Sequence, residues 1–207
     1  MLARLFRRSL LMSVLSCYPG LYLMAEQELY IIDDRTSGGM MSSSGRQWRL
    51  VTDGVMGGVS DGRLDPFVAQ DRPCLQLQGE VRLDNNGGFI QAALDVSDEM
   101  LDAVAVYSGI LLEVSGNKEE YNLHLRTRDL WLPWQSYRTT FLAGPQWQTL
   151  YLPFADFKPY RTSKTLDTSR LKRIGILAIG RAFDADLCIG RVDQLDFRRS
   201  ALRLAYL

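Results

Sequence analysis

Hydrophobic and polar residues alternate along most of this chain with a period of two, which is the pattern of strands with one buried face. The clearest segments are CLQLQGEVRL, residues 74–83, and YNLHLRT, residues 121–127. Each predicts a half-buried strand whose apolar side chains share one face. Those apolar residues are Leu75, Leu77, Val81 and Leu83 in the first segment, and Tyr121, Leu123 and Leu125 in the second.

Further strand patterns follow through the chain, and turn signals such as Asp53-Gly54 and Asn86-Gly87 separate them. RIGILAIG, residues 173–180, is apolar on both faces and predicts a central strand. One short helix is predicted after Ser97, from Glu99 to Val104. About ten short strands with few helices predict an all-β fold in which two antiparallel sheets pack face to face.

Composition supports one globular domain without a strong electrostatic field. The 207 residues are 46% hydrophobic and 23% charged, which is enough for a sizeable core. Lys plus Arg and Asp plus Glu both number 24, so the overall charge attracts neither nucleic acid nor an anionic membrane. We therefore expect no nucleic acid as the principal partner.

The first 25 residues differ from the rest, because they carry three arginines, no acid, and an apolar run that Pro19 and Gly20 interrupt. That interruption argues against a stable membrane span. The segment is a secretory signal, an organelle transit segment, or sequence upstream of a start at Met24. A start at Met24 predicts a cytoplasmic protein, whereas a targeting segment predicts an exported or organellar one. The expected domain covers residues 29–198, with a C-terminal tail at 199–207.

Two other features carry local predictions. TSGGMMSSSGRQ, residues 36–47, has the composition of a mobile surface loop. The three cysteines, Cys17, Cys74 and Cys188, include no C-x-x-C pair, so neither a disulfide framework nor a zinc site is expected. Cys74 and Cys188 lie in apolar strand patterns and are predicted to be small buried side chains, with a reactive or bridged pair as the alternative.

Two glycine-rich loops, VTDGVMGGVS at residues 51–60 and DNNGGF at 84–89, follow predicted strands. Neither has the spacing of a phosphate-binding loop, so no nucleotide cofactor is expected. Their glycines allow positive φ and close backbone approach, while Asp53, Asn85 and Asn86 can bond neighbouring amides. The loops either lock one end of the sandwich or form a site for a ligand or partner.

These loops carry a family resemblance. A tryptophan followed by DGVMGGVS, then NNGGF, WQTLYLPFADF, IGILAIG and DLCIGRVDQLDF resembles the complex I intermediate-associated protein family from about Leu29 to Phe197. The resemblance implies a galactose-binding-like jelly roll without known enzymatic activity. It also implies an assembly chaperone, because mitochondrial members help to build the membrane arm of respiratory complex I. Some members carry a fused dinucleotide-binding domain, which is missing here, so no cofactor is expected.

The family motifs assign candidate binding residues to the two glycine loops. Met56 and Phe89 are expected either to plug the seam between the loops or to stand exposed as an apolar contact. WQTLYLPFADF matches through Trp147, Leu152, Pro153, Phe154 and Phe157, whereas Asp184 to Leu187 stand where the family often has Gly-Pro-Phe. The candidate loop residues are Asp53, Gly54, Met56, Gly57, Gly58, Ser60, Asn85, Asn86, Gly87, Gly88 and Phe89.

A second candidate site is RTRDLWLPWQSYRTTF, residues 126–141. Arg126, Trp131, Trp134 and Tyr137 could line an aromatic groove that stacks a sugar ring or docks a peptide, although such aromatics are also common core and loop anchors. His124 is the only histidine and is expected to face the same side as Asn122 and Arg126. One histidine cannot build a multi-histidine metal site, and no pattern gives it a nucleophile.

Two hypotheses follow for function. The preferred one is a non-enzymatic binding protein that acts as a chaperone for protein-complex assembly, with respiratory complex subunits or assembly intermediates as its clients. The alternative is a carbohydrate-binding module that uses the aromatic groove. A hydrolase is disfavoured, because no paired carboxylates at recognisable spacing can be assigned as acid and nucleophile.

Overall fold

The protein is described by a computed structural model covering residues 30–98, 101 and 107–195. Twelve β-strands make up most of it, and short 3₁₀ turns follow several of them. The strands are β1 (Tyr30–Asp33), β2 (Arg49–Thr52), β3 (Asp61–Ala69), β4 (Arg72–Val81), β5 (Phe89–Asp95), β6 (Gly109–Gly116), β7 (Glu119–Thr127), β8 (Ser136–Ala143), β9 (Gln148–Pro153), β10 (Lys158–Tyr160), β11 (Leu171–Ile179) and β12 (Phe183–Leu195).

The strands form two six-stranded sheets. Sheet I has the order β3-β4-β12-β6-β9, and β1 also pairs with β12; sheet II has the order β10-β8-β7-β11-β5-β2. Every strand pair is antiparallel. The apolar faces of the two sheets pack on each other around a single core. The predicted all-β sandwich of two antiparallel sheets is confirmed.

Alternation along the strands places the core side chains as expected. Leu75, Leu77 and Val81 of β4 are fully buried, as are Tyr121, Leu123 and Leu125 of β7. β11 lies between β7 and β5, so the segment that is apolar on both faces is an interior strand. Leu83 was expected on the core face and is instead half exposed, because β4 ends at Val81 and the chain turns away before it.

The predicted helix lies largely outside the described residues. Within them, the Leu101 amide donates to the Ser97 carbonyl oxygen at 3.3 Å, which is one helical turn. No helix in the part of the chain that the structure describes is long and apolar enough to cross a membrane.

Residues 36–47 lie mostly at the surface, as predicted, and hydrogen bonds connect this loop to the sandwich. The Ser44 amide donates to the Ile32 carbonyl oxygen at 3.0 Å, and the Trp48 amide donates to that of Met40 at 2.8 Å. Below the loop, the buried Asp33 carboxylate accepts from Trp48 Nε1 at 2.7 Å and from Arg35 Nη1 at 2.5 Å. The polar composition of the loop did not indicate these contacts, because the residues that hold it in place, such as Asp33, Arg35 and Trp48, lie before and after it in sequence.

Cys74 and Cys188 form a disulfide, with Cα atoms 5.4 Å apart. Both cysteines are buried, as predicted, but of the two possibilities considered the bridged pair is found and the free thiols are not. β4 and β12 are neighbours in sheet I, and their register sets Gln76 opposite Cys188. Cys74 is two residues from Gln76 on the same face, close enough for a cross-strand bond that spacing along the chain could not show.

Candidate functional site

The two glycine loops lie at one end of the sandwich and each connects the two sheets. Residues 53–60 lead from β2 of sheet II to β3 of sheet I, and residues 82–88 lead from β4 of sheet I back to β5 of sheet II. Their ends are neighbours because Thr52 pairs with Ile90, and Asp61 pairs with Glu80. The fold thus brings together two motifs that are about 30 residues apart in sequence.

The buried carboxylate of Asp53 joins the two loops. Within its own loop, Oδ1 accepts from the Ser60 amide at 3.0 Å, and Oδ2 accepts from Ser60 Oγ at 2.5 Å. Across the seam, Oδ2 accepts from the Gly88 amide at 2.5 Å and from the Phe89 amide at 3.3 Å. Ser60 extends the link, because its Oγ also accepts from the Arg82 amide at 3.0 Å.

These hydrogen bonds govern the ionisation of Asp53. Burial alone would raise the pKa of this carboxyl, but the hydrogen bonds from Ser60, Gly88 and Phe89 outweigh it and hold the pKa below the usual value. Asp53 is therefore ionised at neutral pH, and its charge is stabilised by amide dipoles and a hydroxyl group.

Two glycines are required because the Asp53 side chain occupies the space beside them. A Cβ at Gly58 would lie 2.3 Å from Asp53 Cγ, and one at Gly87 would lie 2.4 Å from Asp53 Oδ2. Gly57 and Gly88 have φ of 87° and 122°, a region that favours glycine. The glycines of both motifs therefore let the backbone close around one carboxylate.

The asparagines contribute less than the sequence suggested. Asn85 has φ of 56°, a left-handed conformation that asparagine tolerates, so its role is in the backbone of the turn. Within the described residues its side chain forms no hydrogen bond to fix the loop, contrary to expectation. The Asn86 side chain lies outside what the structure describes.

The locked loops present apolar side chains to solvent. Val55 is 74% exposed, and Met56 and Leu83 are each 51% exposed. Together with Val59, also exposed, these residues are called the apolar rim here. Of the two outcomes considered for Met56, the exposed one is found, while Phe89 is partly buried at the start of β5.

The candidate aromatic groove is not assembled from its four predicted residues. Trp131 and Trp134 lie in the loop between β7 and β8 and are 86% and 43% exposed. Tyr137 is instead a core residue, because alternation along β8 turns it inward, and its hydroxyl donates to the Thr165 carbonyl oxygen at 2.9 Å. Arg126 lies on the outer face of sheet II, where Nη2 donates to the Leu132 carbonyl oxygen at 3.0 Å.

His124 lies on the same face as Asn122 and Arg126, as predicted, but it is only 7% exposed. Burial, reinforced by the charge of Arg138, lowers the pKa of its imidazole to about 3. Its Nε2 has no hydrogen-bond partner among the described residues. The described part of the chain also places no three His, Cys, Asp or Glu side chains where they could hold a metal ion.

The third motif serves the sandwich itself. Trp147 Nε1 donates to the Ala69 carbonyl oxygen at 3.1 Å, while Leu152 and Phe157 are buried in the core. The Phe154 amide donates to the Ser108 carbonyl oxygen at 2.8 Å. Trp147, Leu152 and Phe157 of this motif therefore have structural roles that need no ligand.

A family model described as Complex I intermediate-associated protein 30 (CIA30) matches residues 40–189, which include both glycine loops. The chain belongs to the CIA30 family. A comparison with curated protein sequences finds no match.

Solved structures of low sequence identity share the fold of this CIA30-family protein. The family 11 carbohydrate-binding module of the cellulosomal cellulase Lic26A-Cel5E of Clostridium thermocellum aligns with a TM-score of 0.65 at 11% identity, over 83% of this chain and 96% of the module. A family 11 module from the same organism, in complex with a beta-1,3-1,4-mixed-linked tetrasaccharide, aligns with a TM-score of 0.59 at 10% identity, over 72% of this chain and 88% of the module. A family 30 carbohydrate-binding module aligns with a TM-score of 0.55 at 11% identity, over 84% of this chain and 89% of the module. The predicted galactose-binding-like jelly roll is confirmed.

Proposed function

We propose that this protein is a non-enzymatic binding protein that acts as a chaperone in the assembly of a respiratory complex. The observation that carries the proposal is the apolar rim: Val55, Met56 and Leu83 stand in solvent on loops that one buried carboxylate fixes. Membership of the CIA30 family supports a client among the subunits or assembly intermediates of complex I.

The rigidity of the rim suits it to binding. A loop that is already ordered loses little conformational freedom when a partner docks, so more of the contact energy appears as affinity. Complete burial of one such side chain contributes about 1.5 to 3 kcal/mol. Two or three therefore give an affinity that a client's final neighbours can exceed, which is what release from a chaperone requires.

The client segment is an apolar surface that the finished complex covers. It docks on the rim while its own neighbours are absent and leaves when they arrive. Nothing in this cycle needs a cofactor or a reaction, and the buried neutral His124 takes no part in it.

Quantitative mass spectrometry of proteins that co-purify with the tagged protein at native level tests the proposal. We expect complex I subunits or intermediates to be recovered with the wild type and lost with Met56→Asp. The matched control is Val68→Asp, which puts the same charge on an exposed valine of β3 in sheet I. Equal recovery with Met56→Asp and wild type would contradict the proposal. The N-terminal peptide in the same run distinguishes a start at Met24 from a processed targeting segment.

Carbohydrate binding is a second candidate, because Trp131 exposes most of its ring and the modules that share the fold bind glycans. Calorimetry with a beta-1,3-1,4-mixed-linked tetrasaccharide and a wider glycan panel tests it. The candidate predicts heat of binding that Trp131→Ala or Trp134→Ala removes. An absence of heat across the panel would reject it.

A further inference from the structure

The outer face of sheet II, turned away from sheet I, collects positive charge. Strand register aligns one row of residues across all six strands: Lys158, Arg138, His124, Gly175, Ala93 and Arg49. The adjacent row contains Arg126, Arg173 and Asp95. We call these two rows the basic face; they hold four arginines and one lysine against one carboxylate.

At one end of the basic face the charges are already paired. Asp95 accepts from Arg49 at 2.5 Å and from Arg173 at 2.7 Å. These pairs lie on β2, β5 and β11 and leave no carboxylate free on the face.

At the other end, Arg126 and Arg138 have no carboxylate partner among the described residues. Arg138 Nε donates to Ser136 Oγ at 2.9 Å, and its guanidinium lies 3.4 Å from the ring centroid of Tyr160. Arg126 bonds only to the Leu130 and Leu132 carbonyl oxygens, and its buried Nε has no partner. The acid on the adjoining loop, Asp129, is paired with Arg170 at 2.8 Å.

Both unpaired arginines are half-buried among like charges. Burial and then the charge of Arg173 lower the pKa of Arg126. Burial also lowers the pKa of Arg138; Tyr160 acts in the opposite direction, and the charge of Arg161 adds to the lowering. A desolvated cation beside other cations is unfavourable until an anion reaches it. Between them, His124 adds a buried ring nitrogen without a partner.

The spacing of the two arginines defines what fits. Arg138 lies opposite His124, and Arg126 is two residues further along β7, so the two are diagonal neighbours about 7 to 8 Å apart. Alternate side chains on one face of an extended peptide repeat roughly every 6.6 Å. Carboxylates at positions i and i+2 of such a peptide therefore match the pair, and each can accept two parallel hydrogen bonds from a guanidinium.

We propose that the basic face binds an acidic extended segment of a partner polypeptide, with alternate carboxylates on Arg126 and Arg138. The aromatic ring next to this pair, Tyr160, already carries Arg138 and Arg161 over it, at 3.4 Å and 5.3 Å. An uncharged sugar therefore finds no free ring there, whereas a carboxylate finds unpaired donors. This site goes beyond the apolar rim and uses none of its residues.

Fluorescence anisotropy tests the proposal with a labelled ten-residue peptide of alternating glutamate and threonine. We expect salt-dependent binding to the full chain, weakened about tenfold or more by either Arg126→Ala or Arg138→Ala. Arg138→Lys should fall between, because it keeps the charge and loses the two-pronged hydrogen bonding. Arg63→Ala, which removes an exposed arginine from the outer face of sheet I, should bind as the wild type does.

The controls separate the alternatives. A peptide with glutamine in place of glutamate should not bind. Met56→Asp should leave peptide binding unchanged, so loss of peptide binding by the basic face can be told apart from loss of client binding by the apolar rim. Wild-type affinity in the Arg126→Ala/Arg138→Ala double variant, with circular dichroism showing it folded, would overturn the proposal. Binding of oligogalacturonate or polyphosphate without binding of the peptide would also overturn it.

Discussion

Replacement of Asp53 by alanine should unlock both glycine loops and destabilise the whole sandwich. The carboxylate accepts from three backbone amides, those of Ser60, Gly88 and Phe89, and from the Ser60 hydroxyl. Asp53→Ala leaves these amides without an acceptor. The loops connect the two sheets, so the loss cannot stay local.

The magnitude follows from the number of orphaned donors. Each buried donor left unsatisfied costs about 1 to 3 kcal/mol, and the Phe89 amide, at 3.3 Å, contributes least. The free energy of unfolding should therefore fall by about 3 to 6 kcal/mol, a large part of the roughly 5 to 15 kcal/mol of a typical domain. Asp53→Asn keeps one acceptor oxygen and should lose about half as much.

Urea unfolding followed by tryptophan fluorescence measures the change. Asp65→Ala is the matched control, because Asp65 is an exposed carboxylate of β3. The folded-state pKa of Asp53 lies below its unfolded value, so its stabilisation is present above about pH 4 and is lost as pH falls. The difference in free energy of unfolding between wild type and Asp53→Asn should therefore become smaller as the pH falls below about 4. A midpoint for Asp53→Ala equal to that of Asp65→Ala would refute the central role of this carboxylate.

Three further outcomes are expected. Gly58→Ala should destabilise the protein by about 1 to 3 kcal/mol in the same urea assay, because its Cβ would overlap Asp53, whereas Gly39→Ala has open space and should be neutral. Between about pH 6.5 and pH 3 the unfolded chain protonates His124 and the folded one does not, so stability should fall with pH by up to about 1.4 kcal/mol per unit, and His124→Gln should flatten that slope. Cys188→Ser should lower stability by about 4 to 5 kcal/mol under oxidising conditions and by little under reducing conditions, because the disulfide closes 114 residues.

Each of these three predictions can be contradicted by one specific result. Equal midpoints for Gly58→Ala and Gly39→Ala would mean that the loop can widen around Asp53. An unchanged pH slope in His124→Gln would place the titrating group elsewhere. Reactive thiols at both Cys74 and Cys188, identified by labelling in denaturant without reductant, would show that the two are not bonded in the isolated protein.

Local pattern was sufficient for the strands, because a period of two directly reports one buried face. It placed Leu75, Leu77 and Val81 in the core, and it identified the residues of β11 as an interior strand. The glycine motifs also indicated loops of fixed shape, and Asp53 as a residue that fixes them, since an acid beside glycines commonly accepts amide hydrogen bonds.

Long-range contacts explain what the sequence did not reveal. The sequence predicts Tyr137 as a neighbour of Trp131 and Trp134 in a groove, but the register of β8 turns it into the core. The disulfide depends on two strands that are neighbours in sheet I although they are distant in sequence. The basic face was missed because its basic residues come from five strands and lie together only once sheet II has formed.

Site-specific photo-crosslinking asks whether the apolar rim contacts a client in the cell. A photoreactive amino acid replaces Val55 on the rim, and in a second protein it replaces Val68, which is similarly exposed at 61%. We expect the group at position 55 to crosslink subunits or assembly intermediates of a respiratory complex, and the group at position 68 not to. The same proteins from both positions, or none of them from position 55, would contradict this expectation.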